Sequence, residues 1–301
     1  MVIPEKVRQH LYSFLGNQTD IFFAGIDAKL ERCAIKWQLS GMSYMPTDTI
    51  NLLFACESAV YGPCVLKACI PGPEVETELH CLLAYDGHTY CKLWAYDLSD
   101  GLLLLERVIP GDQLWAVGDY RERARLMAET ILNLYVPYTG KISFPTYQSW
   151  LVGIREKLTQ IGGLEDVLFY TNEALRVYRE LRQEHNRDCL LHGDLHQENL
   201  LLNSRGGYTI IDPKGVVDDP VMETARFLLN ETPCEAEKIR EIAAIISRIL
   251  GISQGDILKS MFVDAGLSNS WTMEGYFACR EAFEKSRREV LANCAFVYSL
   301  I

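Results

Sequence analysis

The ten cysteines of this chain include no CxxC pair, the spacing on which many zinc sites and redox-active disulfides are built. Most of these cysteines lie in apolar segments, which is typical of buried, reduced thiols. The sequence therefore predicts neither a disulfide framework nor a zinc centre, and it favours a cytoplasmic location.

Long uncharged apolar runs are also missing, although 49% of the 301 residues are hydrophobic. A membrane-spanning helix needs about 18 or more such residues in a row. Residues 1–6 lack the basic-then-apolar order of a signal peptide. We expect a chain that buries a large core and has no membrane partner.

Positive charge is in deficit, with 29 Lys and Arg against 40 Asp and Glu and a formal net charge of −11. Such a balance argues against a nucleic-acid partner, which requires basic surfaces. It is compatible with a small polar or cationic substrate. No pattern in the sequence predicts an oligomeric state.

The most informative motif joins Asp194, Asn199 five residues later, and Asp212 at the end of an apolar, strand-like run. Kinases assemble their phosphoryl-transfer site with this spacing. We expect Asp194 to accept or orient the proton of a substrate hydroxyl. Asn199 and Asp212 would hold Mg²⁺ against the ATP phosphates, because Mg²⁺ prefers hard oxygen ligands. The same polar residues also fit an ordinary turn between two strands.

A single lysine, Lys67, interrupts the apolar, strand-like segment at 63–70. Kinases use such a lysine to hold the α- and β-phosphates, with a helix glutamate as its partner. The helix predicted to follow carries Glu74 and Glu78 on one face, and we expect Glu78 to be the partner and Glu74 the second choice. The alternative is an edge-strand lysine that reaches solvent beside two solvated glutamates.

An apolar strand at 101–108 ends in Pro-Gly before a long helical stretch, which is typical of a hinge. In kinases this segment offers backbone groups to the adenine, so Glu106 and Val108 are the expected nucleotide contacts and 108–112 the expected hinge. A buried strand followed by a turn is the alternative.

The periodicity of apolar residues predicts an α+β chain with two lobes that close over a nucleotide. The N-terminal lobe, 1–107, is expected to contain helices and a small set of strands, and the C-terminal lobe, 113–301, to be mainly helical. The predicted helices cover 4–16, 25–38, 74–85, 119–135, 146–160, 163–186, 221–229, 235–250, 254–265 and 270–298.

Three acidic residues, Asp218, Asp219 and Glu223, follow the motif closely and are candidates for contact with a cationic substrate. Asp219 precedes a proline, so capping of the next helix is the alternative role. Glu223 alternatively pairs with Arg226. Lys214 is expected either to meet a phosphate or to bridge Asp218 or Asp219.

Together these segments resemble the aminoglycoside phosphotransferase superfamily, and within it the streptomycin 6-kinase and hydroxyurea-resistance kinase group. The resemblance rests on four segments between about 25 and 230: 65–67 (VLK), 102–111 (LLLLERVIPG), 192–199 (HGDLHQEN) and 211–220 (IDPKGVVDDP). The last of these is the most specific.

The resemblance implies a protein-kinase-like fold, ATP and Mg²⁺ as cofactors, and transfer of the γ-phosphoryl to a small-molecule hydroxyl. It assigns Asp194 as the catalytic base, Lys67 as the phosphate lysine and His192 as the motif histidine that braces the loop. Two departures stand out: relatives tend to carry Gly where Asp218 stands, and no glycine-rich loop precedes Lys67.

The expected function is phosphorylation of an aminoglycoside such as streptomycin, or of a hydroxyurea-like compound. The first alternative is a kinase of the same fold that acts on a ketosamine, an amino alcohol or a sugar. The second is a nucleotide-binding pseudokinase, against which the intact motif residues argue.

Overall fold

The computed structural model describes residues 7–8, 12, 18–46, 51–132, 134–231, 235–276 and 280–301. The chain divides into two compact units, Met1–Gly111 and Asp112–Ile301, and this boundary falls inside the predicted hinge. The helix expected over 4–16 lies almost entirely outside the described residues. In the described part of the chain, no helix combines the length and the apolar character needed to span a membrane.

From residue 18 onward, the described part of the first unit contains a five-stranded antiparallel sheet and the helices α1 (Gln18–Lys36) and α2 (Pro73–Tyr85). The strand order is β1-β2-β3-β5-β4, so β3 lies at the centre of the sheet. The strands are β1 (Leu39–Met45), β2 (Leu52–Ser58), β3 (Gly62–Ala68), β4 (Leu93–Asp97) and β5 (Leu102–Glu106).

Helix α1 begins at Gln18, seven residues before the predicted start at 25. Its buried face consists of residues three or four apart that pack on the sheet. This face already begins at Phe22 and continues to Trp37. The prediction, which followed the stripe of Leu30, Ala34 and Trp37, missed Phe22. The buried members of the face are Phe22, Ile26, Leu30, Cys33 and Trp37.

The second unit is mainly helical, and the predicted α+β class is confirmed. Its helices are α3 (Tyr120–Ile131), α4 (Tyr147–Ile161), α5 (Glu165–Glu184), α6 (Ala225–Glu231), α7 (Ala236–Leu250), α8 (Gln254–Tyr276) and α9 (Arg280–Tyr298). Short 3₁₀ helices cover Leu114–Ala116, Gln197–Asn199 and Pro220–Thr224.

Two small sheets carry the segments around the motif. One has the order β10-β9-β6 and the other β11-β8-β7. Their strands are β6 (Pro110–Gln113), β7 (Val136–Pro137), β8 (Cys189–Leu191), β9 (Leu200–Asn203), β10 (Tyr208–Ile210) and β11 (Val216–Asp218). The motif residues therefore lie in the connections that follow β8 and β10.

Helix α8 runs without interruption through the break predicted after 265. Gly266 lies directly after the predicted helix end at 265, and glycine weakens an isolated helix. In the structure a Cβ at Gly266 would lie 2.5 Å from the Cβ of Ala174 in α5. The missing side chain thus allows α5 and α8 to pack closely, and close packing explains this glycine better than a helix end.

Candidate active site

Lys67 in β3 and Glu78 in α2 form a buried ion pair. The Lys67 Nζ lies 2.8 and 2.7 Å from the two carboxylate oxygens of Glu78, and the residues are only 4% and 6% exposed. Because β3 is flanked by β2 and β5, the edge-strand alternative is wrong. Glu74, the second choice, is exposed. The pair brings together a strand and a helix that are separate in sequence.

The predicted hinge, 108–112, follows β5, which ends at Glu106. Glu106 is tied back to Lys92, because its N–H donates to the Lys92 carbonyl at 2.8 Å and its Oε2 accepts from the Lys92 N–H at 3.1 Å. Val108 is half-buried. A Cβ at Gly111 would lie 2.7 Å from the Val108 carbonyl oxygen, and Gly111 has φ +84°. The turn therefore requires glycine.

His192, the first residue after β8, connects the motif loop to the segment before Asp212 through hydrogen bonds. Its ring Nε2 lies 2.8 Å from the carbonyl oxygen of Ile211, and its Nδ1 accepts from the N–H of Asp194 at 3.1 Å. These partners assign the proton to Nε2. Burial lowers the pKa of His192 to about 4, so the ring is neutral at pH 7 and works as a brace between two segments.

Gly193 allows the sharp turn between His192 and Asp194. Its φ of +80° belongs to the left-handed region, which favours glycine. A Cβ there would also lie 2.7 Å from Val216 Cγ1 and 3.1 Å from the Trp150 ring. Both the backbone conformation and the lack of space require glycine at this position.

Asn199 and Asp212 are the predicted metal ligands. The side-chain amide of Asn199 donates to the Asp194 carbonyl at 3.0 Å, and no described group donates to its Oδ1. The N–H of Ile211 donates to the Asn199 carbonyl at 3.0 Å, which ties the segment before Asp212 to Asn199. An amide oxygen near a half-buried carboxylate fits Mg²⁺ better than a softer metal.

Asp194 lies between two cations. Its Oδ2 is 3.4 Å from Lys214 Nζ and its Oδ1 is 3.5 Å from Arg226 Nε. Burial alone would raise the pKa of Asp194, but Lys214 and Arg226 outweigh it and lower the pKa to about 2. Asp194 is therefore a carboxylate at neutral pH. The Lys214 Nζ also lies 5.0 Å from the centroid of the Trp271 ring.

Sequence reasoning missed this pairing. The sequence predicts that Lys214 either meets a phosphate or bridges Asp218 or Asp219, and it offers Arg226 as one of two partners for Glu223. In the structure both cations flank Asp194. Arg226 lies more than thirty residues from Asp194 and from its other partner, Asp264. No local spacing signals such contacts.

The three predicted substrate residues require a correction. Asp218, Asp219 and Glu223 are only 1%, 1% and 3% exposed. Asp218 accepts the hydroxyl of Tyr178 at 2.8 Å, and Asp219 caps the 3₁₀ helix by accepting the Val221 N–H at 3.0 Å. Their carboxylates are used inside the protein, so the substrate-contact role is wrong and the capping role of Asp219 is confirmed.

Glu223 binds the backbone of the motif loop. Its two oxygens accept the N–H groups of His192 at 2.8 Å and Gly193 at 3.1 Å. Burial raises the pKa of Glu223 to about 7, against these two hydrogen bonds. A buried carboxylate on two consecutive N–H groups fixes the direction in which the loop leaves β8.

Comparison with known proteins identifies the family of this chain. The family described as "Aminoglycoside/hydroxyurea antibiotic resistance kinase" matches residues 36–275. Streptomycin 6-kinase from Streptomyces griseus is 23% identical over 279 residues, covering 90% of this chain and 87% of that protein. Streptomycin 3''-kinase from Klebsiella pneumoniae is 25% identical over 214 residues, covering 66% of this chain and 76% of that protein.

The choline kinase LicA from Streptococcus pneumoniae has a similar fold. Its crystal structure matches with a TM-score of 0.66 at 14% identity, covering 89% of this chain and 98% of that one. This likeness confirms the protein-kinase-like fold. With the match over most of its length, the chain belongs to the aminoglycoside/hydroxyurea antibiotic resistance kinase family and is a phosphotransferase with a hydroxyl acceptor.

Proposed function

We propose that this protein uses ATP and Mg²⁺ to phosphorylate a hydroxyl of a small polar molecule, either an aminoglycoside such as streptomycin or a hydroxyurea-like compound. The observation that carries the proposal is the linkage of Asp194, Asn199 and Asp212. One backbone hydrogen bond joins Asn199 to the residue before Asp212, and one side-chain bond joins Asn199 to Asp194.

We assign the nucleotide contacts to one side chain and one backbone segment, and the metal contacts to two further side chains. Lys67, held by Glu78, binds the α- and β-phosphates, and the backbone from Glu106 to Val108 meets the adenine. Asn199 and Asp212 hold Mg²⁺, which supplies charge neutralisation for the phosphate oxygens.

Asp194 acts on the acceptor hydroxyl. Since its pKa lies near 2, it is a weak base, and its main contribution is to orient the hydroxyl by accepting its hydrogen bond. It then takes up the hydroxyl proton as the acceptor oxygen bonds to the γ-phosphorus and the bond from that phosphorus to the leaving ADP oxygen breaks. The neutral ring of His192 holds the loop and exchanges no proton. Positioning of this kind suits phosphoryl transfer, which requires little covalent chemistry from the protein.

A kinase of another small metabolite is the second candidate. The acidic side chains that favoured a cationic substrate are buried, so the described residues supply no acidic acceptor site at these positions. A ketosamine, an amino alcohol and a sugar therefore remain candidate acceptors. A pseudokinase is disfavoured because the sequence keeps Lys67, Asp194, Asn199 and Asp212.

The test is phosphorylation from Mg-ATP across a panel, with products identified by mass spectrometry. The panel contains streptomycin, other aminoglycosides, hydroxyurea, ketosamines, amino alcohols and sugars. Phosphorylated streptomycin or hydroxyurea supports the proposal, and turnover of another compound replaces the acceptor while keeping the chemistry. Failure to bind ATP contradicts the proposed function.

A further inference from the structure

A buried ion pair lies directly beside the catalytic aspartate. Arg226 in α6 places its Nε 2.8 Å from Asp264 Oδ2 and donates from its terminal nitrogen to Asp264 Oδ1 at 3.1 Å. The two side chains are 17% and 1% exposed. One hydrogen bond and one close ion-pair contact thus anchor this guanidinium to Asp264 in α8.

The same guanidinium also faces Asp194. Arg226 Nε lies 3.5 Å from Asp194 Oδ1. Although Nε is within ion-pair distance of both carboxylates, it makes no hydrogen bond of good geometry to any described residue. A buried N–H without a full partner is costly. The contact of Nε with Asp194 is therefore an ion pair at 3.5 Å and not a hydrogen bond.

The second cation beside Asp194 differs in kind. Lys214 Nζ lies 3.4 Å from Asp194 Oδ2, and its side chain is 44% exposed. Lysine is a flexible point charge, and this side chain is much more exposed than that of Arg226. Of the two cations beside Asp194, Arg226 is therefore the more firmly held.

We propose that Arg226, anchored by Asp264, is a positioning residue that holds the Asp194 carboxylate in the orientation required by the acceptor hydroxyl. The proposal rests on the proposed function of Asp194. It gives Asp264 a role through Arg226 and no contact with substrate. Oδ1 is held on the protein side, and Oδ2 is left for the hydroxyl once Lys214 moves aside.

The kinetic expectation is a loss in kcat and not in ATP binding. Arg226→Met keeps an unbranched apolar stem and removes the guanidinium with its charge, and misplacing a reacting group by about 1 Å costs on the order of 10²-fold in rate. The KM for ATP should change far less, because the assigned ATP contacts are elsewhere. Arg226→Lys keeps the charge without the planar guanidinium and should recover part of kcat, and Asp264→Asn should lower kcat although Asp264 has no assigned contact with substrate.

A matched control pair joins α3 to the same helix, α6. Arg123 donates to Glu231 Oε2 at 2.6 Å, and both residues are buried. Glu231 is the last residue of α6, whereas Arg226 is near its start. Arg123→Met should lower the unfolding midpoint while leaving kcat unchanged, which separates general loss of stability from loss of positioning.

A second readout needs no acceptor. Unfolding midpoints are measured for Asp194→Asn alone, Arg226→Met alone and the double variant, with Arg226→Lys replacing Arg226→Met if the latter does not fold. If Arg226 holds Asp194, the cost of Asp194→Asn is smaller when Arg226 is changed. Equal costs in both backgrounds, or wild-type kcat in Arg226→Met, overturn the proposal. If the wild type phosphorylates nothing, the proposed function fails while this cycle still decides the pairing.

Discussion

The carboxylate of Glu223 accepts the backbone N–H of His192 at 2.8 Å, and its second oxygen accepts the next N–H along the chain. The 3₁₀ helix that follows β11 thereby holds the loop on which the proposed chemistry depends. The cost is a carboxylate that is 3% exposed and has a raised pKa.

This raised pKa makes part of the stability pH-dependent. Because the pKa of Glu223 is about 7 in the folded protein and 4.5 ordinarily, the folded state holds a proton that the unfolded chain releases between these values. The contribution of Glu223 to stability therefore falls as pH rises from about 4.5 to about 7.

Urea unfolding of the wild type and of Glu223→Gln across this range measures the effect. The unfolding free energy of the wild type relative to the variant should fall by on the order of 3 kcal/mol. A difference that does not change with pH would show that Glu223 titrates normally.

Gly193 should tolerate alanine much less well than a glycine with a similar φ elsewhere. Gly206 has φ +82° and no atom within 4 Å of an added Cβ, so Gly206→Ala should cost about 1–2 kcal/mol from the backbone alone. In Gly193→Ala the added Cβ also clashes with Val216 and Trp150, which should destabilise the protein by about 1–3 kcal/mol more.

Thermal unfolding of the two variants gives the comparison, and turnover should fall only in Gly193→Ala. Equal losses in both variants would mean that the space around Gly193 is not limiting.

Lys67 should depend on Glu78. Removing one partner of a buried ion pair typically costs about 3–5 kcal/mol, so Glu78→Ala should destabilise the protein and weaken ATP binding. The exposed Glu74 provides the control, and Glu74→Ala should change stability by about 1 kcal/mol or less. Calorimetric titration with Mg-ATP and urea unfolding measure both effects; unchanged ATP affinity in Glu78→Ala would argue against a phosphate role for Lys67.

Gly266 tests the continuity of α8. Gly266→Ala should destabilise the protein by about 1–3 kcal/mol, because the new Cβ would meet Ala174. Ala174→Gly removes the opposing methyl group, so the double variant should recover part of the loss. A double variant as unstable as the sum of the single variants would exclude this contact as the reason for the glycine.

The sequence was most informative where chemistry depends on local spacing. His192, Asp194 and Asn199 share one short loop, and Lys67 stands out because it interrupts an apolar strand, so both were recognisable. Asp218, Asp219 and Glu223 were misread because an acidic residue in sequence does not reveal its burial, and tertiary hydrogen bonds use all three.

The partners Arg226 and Asp264 could not be predicted for a related reason. They belong to α6 and α8, and only the packing of these helices brings them to Asp194. The break expected near Gly266 was wrong because tertiary packing, and not helix propensity, explains that residue.

The central claim is that Asp194 orients the acceptor hydroxyl for phosphoryl transfer. The most direct measurement is the rate of γ-phosphoryl transfer from Mg-ATP to an accepted panel compound, for wild type and Asp194→Ala at saturating ATP. Asp188→Ala is the control, since Asp188 is 58% exposed and pairs with Arg182. We predict that Asp194→Ala loses turnover by orders of magnitude while still binding ATP, and that Asp188→Ala keeps it. Undiminished turnover in Asp194→Ala would contradict the account.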